Sequence, residues 1–248
     1  TPVLSFSNIT GFSVGTYTAQ RVLSADERAA LLSYMANMKS FTGTLKLTTY
    51  VNGENIGSTS KSVTVATRES VSAPEISGFT FADANSYTVN ITGNNQVLIQ
   101  GYSKLRITCG TITVKNGASF KSVSAICGDK TKTVYNQGSY IDLNEINTSG
   151  ELTITVTVTD RRGYTAAIAQ KVTVTPYEKP KLTEFSLKRQ NGVGSIMQLS
   201  FSGQISGILV GGANKNSVAD IAYRYKKTSD SSSTAWVSLK AASTISGN

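Results

Sequence analysis

Histidine is absent from the 248 residues, and tryptophan, cysteine and proline are scarce, with one, two and four residues respectively. Without histidine the chain lacks the commonest general base and the commonest transition-metal ligand of proteins. Serine triads and zinc sites built on histidine are therefore excluded. No run of about 18 consecutive apolar residues occurs, so no membrane span is predicted.

Motifs for phosphate, calcium and paired-carboxylate chemistry are also missing. Gly207-Ile-Leu-Val-Gly-Gly lacks the Lys-Ser/Thr ending of a phosphate-binding loop. Loops such as Gly93-Asn-Asn offer oxygen atoms but not the charge of a calcium site. The acidic residues are few and scattered, which argues against a glycosidase pair. The sequence predicts no catalytic residue, no metal ligand and no cofactor, and hence a protein that is not an enzyme.

Charged residues are also infrequent, at 16% of the chain against about 25% in an average domain. The net charge is +9, and the excess of basic residues is greatest in residues 179–248. A basic surface of this kind can contact anionic polymers, but it can equally be a solvated face or a face against a neighbouring subunit. The basic residues do not form a run, so no nucleic-acid partner is predicted.

Proline marks the predicted domain boundaries. Pro2, Pro74 and Pro180 each open a similar stretch that alternates polar and apolar residues and ends near a phenylalanine. Proline cannot donate to a central ladder, so it is typical of strand starts and edges. We expect three domains, at residues 1–72, 73–178 and 179–248, with seams at Ala66–Ala73 and Pro176–Pro180.

The segments between these boundaries have the period-two pattern of β-strands. Leu152-Thr-Ile-Thr-Val-Thr-Val-Thr places its apolar residues on one face and its threonines on the other. A similar hairpin is predicted from Leu45-Lys-Leu-Thr-Thr-Tyr-Val and Lys61-Ser-Val-Thr-Val. Short strands, including one over Tyr87–Thr92 and one over Phe120–Cys127, are predicted through the middle domain. The predicted fold class is all-β, with tandem immunoglobulin-like and fibronectin-like β-sandwiches.

One α-helix is predicted in the first domain. Ser24-Ala-Asp-Glu27 has the capping-box pattern, in which Ser24 and Glu27 each accept a backbone N–H of the other. Residues 25–38 favour helix, and Leu31, Met35 and Met38 form one apolar stripe. We expect this helix to cover an end or edge of the first sandwich.

The last 70 residues predict a fibronectin type III-like domain that is incomplete. Leu182–Lys188 and Met197–Phe201 would form its first two strands, and Ala222-Tyr-Arg-Tyr and Ala235-Trp-Val-Ser-Leu would form the next two. About three closing strands of such a sandwich would be missing.

Three aromatic residues and two arginines are candidate surface contacts. Tyr223, Tyr225 and Trp236 could stack on sugars or pack in the core. Asp160-Arg161-Arg162-Gly163 reads as a tight hairpin turn, with Asp160 starting it and Gly163 left-handed, and Arg161 and Arg162 could contact an anionic partner.

The two cysteines, Cys109 and Cys127, match no metal-binding spacing. The sequence leaves open whether they form a disulfide or remain two buried thiols.

Several of these segments, taken in order, resemble a family of minor structural proteins from the tails of siphophages of Gram-positive bacteria. The resemblance rests on five segments of this sequence: Ser24-Ala-Asp-Glu-Arg-Ala-Ala-Leu, Lys104-Leu-Arg-Ile, Val123-Ser-Ala-Ile-Cys-Gly, Thr157-Val-Thr-Asp-Arg-Arg-Gly and Tyr223-Arg-Tyr-Lys-Lys. It implies a virion component at the tail tip or in a tail fibre, homo-oligomeric, with other tail proteins as partners. It supplies no catalytic residues.

Three hypotheses about function follow. The first is a tail fibre or tail-tip structural protein whose domains act as spacers and contact the host surface. The second is a carbohydrate-binding adhesin, in which an aromatic residue such as Trp236 would be exposed to host cell-wall glycans. The third is a bacterial surface protein with tandem Ig-like repeats.

Overall fold

The computed structural model describes residues 22–192, 196–226 and 228–238. These residues form three α-helices, α1 (Ala25–Tyr34), α2 (Glu69–Ser72) and α3 (Ser86–Thr92), and a short 3-10 helix at Gln190–Gly192. The strands are β1 (Ser40–Val51), β2 (Glu54–Ala66), β3 (Glu75–Ile76), β4 (Phe79–Asp83), β5 (Leu98–Ile99), β6 (Lys104–Cys109), β7 (Ile112–Thr113), β8 (Phe120–Cys127), β9 (Lys130–Val134), β10 (Ile141–Glu145), β11 (Gly150–Asp160), β12 (Thr165–Thr175), β13 (Lys181–Arg189), β14 (Met197–Gln204), β15 (Leu209–Val210), β16 (Ala213–Asn214), β17 (Ala222–Tyr223) and β18 (Val237–Ser238).

The fold is mostly β, which confirms the predicted class at that level. The sheets of the described residues are small: one has five strands in the order β5-β12-β11-β8-β9, one has three in the order β10-β6-β4, and the others are pairs. Antiparallel pairing joins β1 to β2, β3 to β7, β8 to β9, β8 to β11, β13 to β14, β15 to β16 and β17 to β18. Strand β12 pairs with β5 in parallel, where Val174 lies opposite Leu98. The predicted strand at Pro2 lies outside the described residues.

The predicted helix near residues 25–38 is present as α1, and it ends four residues earlier than expected. The capping box is formed as predicted: Glu27 N donates to Ser24 Oγ at 3.2 Å, and Ser24 N donates to Glu27 Oε2 at 2.8 Å. Met35 is the C-cap and is buried, while Leu31 and Met38 are half-buried. The apolar stripe therefore exists, but its last residue lies in the turn after the helix.

The first predicted hairpin is confirmed as β1 and β2, which pair over almost their full length. Residues directly opposite each other share a face, so Leu45, Leu47 and Val63 lie on one side of the ribbon. The other side carries threonines, serines and Lys46. The ribbon is therefore amphipathic, as the period-two pattern predicted.

The strand predicted from Pro74 onward is divided into β3 and β4. Ser77 and Gly78 separate the two, so β3 pairs with β7 while β4 joins the sheet of β6 and β10. Gly110 faces this break closely: Gly110 N donates to Gly78 O at 2.8 Å, and a Cβ on Gly110 would come within 2.6 Å of Ser77 Oγ. The chain therefore changes from one sheet to another within a few residues of the proposed seam.

The strand predicted at Tyr87–Thr92 is wrong, because this segment is helix α3. Asn85 caps its start by accepting a hydrogen bond from Tyr87 N at 3.1 Å, and Gly93 caps its end in a left-handed conformation. Thr92 Oγ1 also donates to Thr88 O at 3.0 Å along the helix. Local capping therefore outweighs the strand preference of valine, tyrosine and threonine.

The described residues form two compact units. The first unit contains the described residues up to Phe81 together with Arg106–Leu143 and Thr153–Lys171. The second contains Ala82–Leu105, Asn144–Leu152 and the described residues from Val172 onward. The predicted boundaries at 72/73 and 178/179 stay a prediction.

The core of the first unit comes mainly from alternate residues of its strands. In β11 the residues Ile154, Val156 and Val158 are buried, while the threonines between them are half-buried or exposed, as predicted. Full burial of one such side chain contributes about 1.5–3 kcal/mol. Cys127 is buried and Cys109 half-buried; both are free thiols, and burial raises the pKa of each.

The second unit includes the strands predicted for the last domain. Strand β13 pairs with β14 from Lys181 opposite Gln204 to Arg189 opposite Met197. Strands β17 and β18, of two residues each, pair within the segments predicted as the third and fourth strands, with Tyr223 opposite Val237. The pair β15–β16 precedes them, so they are not the third and fourth strands of this segment. Its buried apolar residues include Leu98, Ile99, Leu105, Ile146, Val174 and Ile208.

Candidate functional site

In the first unit, the side chain of Tyr164 holds the start of the seam Ala66–Ala73 by hydrogen bonds to Thr67. Tyr164 Oη donates to Thr67 O at 3.0 Å and lies 3.1 Å from Thr67 Oγ1. Thr67 N in turn donates to Lys39 O at 2.8 Å, and Lys39 Nζ lies 4.5 Å from the centroid of the Tyr164 ring. Residues 39, 67 and 164 are thus joined by hydrogen bonds and by a cation–π contact, which restricts rotation at the start of the seam.

Arg162 makes a second attachment to the same region. It is only 5% exposed, and its Nε donates to the carbonyl oxygen of Met35, the C-cap of α1, at 2.8 Å. Its terminal nitrogens donate to Lys115 O at 3.1 Å and to Asn116 O. A cation near a helix C-terminus is favourable, because the last carbonyls of the helix carry partial negative charge. The prediction that both arginines are exposed is therefore wrong for Arg162, which is buried, whereas Arg161 is exposed.

The turn between β11 and β12 explains why the two arginines point in different directions. Gly163 N donates to Asp160 O and Asp160 N donates to Tyr164 O, each at 3.0 Å. Gly163 has a φ of +88°, the left-handed conformation predicted for it. Asp160 is fully buried, and its Oδ1 accepts from Tyr164 N at 2.9 Å. The tight hairpin is confirmed, and its geometry directs Arg162 inward.

The short helix α2 is also attached. Asn116 Nδ2 donates to Val71 O at 3.0 Å and to Ser72 Oγ at 3.2 Å. Lys115 forms an ion pair with Glu75, just after Pro74. The carbonyl groups of Lys115 and Asn116 therefore accept hydrogen bonds from Arg162. The side chain of Asn116 binds α2 in the seam, and the side chain of Lys115 pairs with Glu75 just after it. All of these residues belong to the first unit.

The seam at Pro176–Pro180 is fastened in the second unit from both sides. Tyr177 N donates to Gln100 Oε1 at 3.2 Å, and Gln100 Nε2 donates to Asn147 O at 2.8 Å. Glu178 N donates to Ser206 Oγ at 2.8 Å, and Ser206 Oγ donates to Glu178 O at 3.1 Å. The backbone N–H groups of two adjacent seam residues, Tyr177 and Glu178, thus each donate to a side chain.

An aromatic pair adds to this attachment. The rings of Tyr102 and Tyr177 meet edge to face with centroids 5.2 Å apart, a favoured geometry for aromatic pairs. Burial beside this ring raises the pKa of Tyr177. The ammonium of Lys181 lowers the pKa of Glu178 through a hydrogen bond.

Asp83 in the second unit is a buried carboxylate that the sequence did not single out. It accepts from the backbone N–H groups of Asn85 at 2.9 Å and Lys104 at 3.0 Å. Its Oδ2 accepts from the hydroxyls of Thr88 and Ser103. With both oxygens occupied by four donors, Asp83 joins the start of α3 to β6 and has the environment of a structural residue.

The three candidate aromatic residues lie in or beside the short strand pair β17–β18. Tyr223 pairs with Val237, and two residues later Tyr225 O accepts from Thr234 N at 2.8 Å. Tyr225 and Trp236 lie just outside the two short strands, and all three aromatic side chains are exposed.

Trp236 contacts a cation. The guanidinium of Arg224 lies 4.7 Å from the centroid of its ring, and Trp236 is 63% exposed. Arginine stacked on tryptophan is the preferred form of cation–π contact. The contact roles of Arg161, Tyr223, Tyr225 and Trp236 stay predictions.

A half-buried ion pair in the first unit contacts a tyrosine that the sequence did not single out. Arg106 in β6 donates from Nε and a terminal nitrogen to the two carboxylate oxygens of Asp142 in β10, at 2.7 Å each. The hydrogen bond from Arg106 lowers the pKa of Asp142. The same guanidinium lies 4.8 Å from the centroid of the Tyr140 ring.

In the part of the chain that the structure describes, no group of three or more histidine, cysteine, aspartate or glutamate residues could hold a metal ion. Nor does any helix of these residues have the length and apolar character needed to cross a membrane.

The chain was compared with protein families, curated proteins and solved structures. Residues 14–245 match the family described as siphovirus protein of unknown function (DUF859). The match covers nearly the whole chain, so the protein belongs to this siphovirus family. Neither the curated proteins nor the solved structures contain a significant match.

Proposed function

We propose that this chain is a structural component of the virion tail, in a tail fibre or at the tail tip, and that it has no catalytic role. Its domains would be tandem immunoglobulin-like and fibronectin type III-like β-sandwiches that act as spacers. Its partners would be further copies of itself and other tail proteins. The siphovirus family and the mostly β fold support this proposal.

The observation that carries the spacer role is the set of hydrogen bonds that hold the backbone of both seams. A flexible linker leaves its backbone groups to water and is rich in glycine and serine. Here Thr67, Tyr177 and Glu178 each donate a backbone N–H to a specific partner, and Tyr164 holds the carbonyl of Thr67. A seam with fixed backbone groups transmits force and position with little bending.

The location is tested on intact particles of a siphophage that encodes this chain. Antibodies raised against the purified chain and labelled with gold should bind the tail or its tip in electron micrographs. A phage with the gene deleted, complemented during growth where necessary, serves as the control. Label on the capsid, or the absence of the chain from purified particles, would refute the proposal.

A carbohydrate-binding adhesin is a second candidate, favoured by the exposure of Trp236. Because Trp236 is the only tryptophan of the chain, its fluorescence reports on this site alone. Cell-wall glycans of the host should quench or shift that emission if the site binds them, and Trp236→Ala should abolish binding. Unchanged emission at saturating glycan would exclude this site. The third candidate, a bacterial surface protein, is less favoured because the family is a siphovirus family.

A further inference from the structure

The loop between β9 and β10 presents two exposed tyrosines on the first unit. Tyr135 is 71% exposed and Tyr140 is 57% exposed, and every residue from 135 to 140 is exposed. The intervening residues are Asn136, Gln137, Gly138 and Ser139. Tyrosine, serine, glycine and asparagine are the residues enriched in binding loops, because tyrosine gives contact area at low entropic cost and the small polar residues give adaptable hydrogen bonds.

The two tyrosines flank a β-turn. Ser139 N donates to Asn136 O at 3.4 Å, and Gly138 has a φ of +85°, as the third residue of a type II turn requires. The Cα atoms at the ends of a β-turn lie within about 7 Å, so those of Tyr135 and Tyr140 are at most about 15 Å apart. A short oligosaccharide can span both rings at this separation.

The loop is held in place at two points. Gln137 Nε2 donates to Ile112 O at 2.8 Å, which ties the tip of the turn to β7. At its far end, the Tyr140 ring lies against the guanidinium of Arg106, whose orientation is set by the bidentate hydrogen bonds to Asp142. Both points reduce the entropy that the loop would lose on binding, which is the physical basis of preorganisation.

The charge of the loop indicates the chemistry of its ligand. None of the residues from 135 to 140 is a lysine, arginine, aspartate or glutamate, and Arg106 and Asp142 neutralise each other. The C–H groups of a pyranose ring carry partial positive charge and fit the negative face of an aromatic ring. The amide of Asn136 and the hydroxyl of Ser139 have the chemistry to hydrogen-bond sugar hydroxyls.

We propose that the loop Tyr135–Tyr140 is a binding site for neutral carbohydrate, with the two tyrosine rings as stacking surfaces and Arg106 as a positioning residue for Tyr140. This inference deepens the host-contact part of the proposed function and rests on it. It assigns the contact to the first unit, whereas Tyr223, Tyr225 and Trp236, which the sequence singled out, belong to the second unit.

The test uses the full chain on immobilised oligosaccharides of four to six hexose or N-acetylhexosamine units. The set contains neutral oligosaccharides and the same sugars carrying phosphodiester or carboxylate groups, because Lys132 on the adjoining strand could favour an anion. The variants are Tyr135→Ala, Tyr140→Ala and Tyr140→Phe. Tyr87→Ala is the matched control, since Tyr87 is 67% exposed and lies in the second unit.

We expect measurable binding to at least one neutral oligosaccharide. Each alanine variant of the loop should raise Kd about tenfold, a loss typical of an interface hot spot, while Tyr87→Ala and Tyr140→Phe should leave it nearly unchanged. Arg106→Gln should give a smaller rise, and the loss should be entropic in calorimetry because a positioning residue acts through order in the free loop.

Binding to none of the sugars, binding only to the charged set, or binding that the loop variants do not weaken would each overturn the inference. Binding of the loop to another tail protein in place of sugars would also overturn the inference. These outcomes leave the tail location untouched, because gold labelling of particles tests it separately.

Discussion

Arg162 Nε donates a hydrogen bond of 2.8 Å to the carbonyl oxygen of Met35, although 127 positions separate the two residues in the chain. The same guanidinium also binds the carbonyls of Lys115 and Asn116. One buried side chain therefore satisfies three carbonyl groups and connects the end of α1 to the turn after β7.

Replacing Arg162 should destabilise the first unit strongly. In Arg162→Met the aliphatic volume is retained, but three carbonyls lose their donor, and we expect the free energy of unfolding to fall by about 2–4 kcal/mol. Urea unfolding followed by circular dichroism measures it. The neighbouring Arg161→Met changes an exposed residue and should stay within about 0.5 kcal/mol of the parent. Equal effects of the two substitutions would contradict the assignment.

Tyr164→Phe tests the fastening of the first seam. The substitution keeps the ring beside Lys39 but removes the hydroxyl that donates to Thr67 O, and it should lower stability by about 1 kcal/mol. Hydrogen exchange at the amides of residues 67–73 should accelerate more than exchange in β8. Tyr135→Phe, at an exposed ring, serves as the control. Uniform acceleration across the first unit would mean that the hydroxyl does not act locally.

Ser206→Ala tests the second seam. Without the hydroxyl, Glu178 N loses its acceptor, and a hydrogen bond of about 1 kcal/mol corresponds to roughly fivefold faster exchange of that amide. The matched control is Ser202→Ala, whose hydroxyl donates to the exposed side chain of Glu184. An amide at Glu178 that exchanges at the same rate in both variants would show that the seam is not held by Ser206.

Acid should weaken the contribution of the ion pair between Arg106 and Asp142. The folded state lowers the pKa of Asp142, so its stabilisation is fully present above the unfolded value of about 3.9 and is lost as the pH falls through the folded value. Asp142→Asn should therefore destabilise the protein at pH 7 and have a progressively smaller effect below about pH 4. Urea unfolding at several pH values measures this. In an Arg106→Gln background the pH dependence of the Asp142→Asn effect should be much smaller, because only the weaker charge interaction with Lys132 then lowers the pKa of Asp142; an undiminished pH dependence would contradict the assignment to Arg106.

The elements that the sequence predicted correctly depend on local patterns. The strand predicted at Phe120–Cys127 has those bounds in the structure, and the capping box of Ser24 and Glu27 is formed. The alternation in β11 places Ile154, Val156 and Val158 on the buried face. In each case the information lies within a few residues, where side-chain periodicity or capping decides the backbone conformation.

The errors have physical causes that a single sequence does not display. Helix α3 was predicted as a strand because its threonines and valine favour strands, whereas the caps at Asn85 and Gly93 determine the outcome. Arg162 was expected at the surface because its carbonyl partners are remote in the chain. The fastening of the seams and the contact between Arg106 and Tyr140 likewise depend on tertiary approach.

The bond from Arg162 to Met35 also has a consequence for synthesis on the ribosome. The donor for the carbonyl of Met35, the C-cap of α1, is translated 127 residues after Met35 itself. At about 5–20 residues per second this delay is about 6–25 seconds. On the nascent chain the C-terminal end of α1 therefore lacks this donor until the turn after β11 has left the exit tunnel.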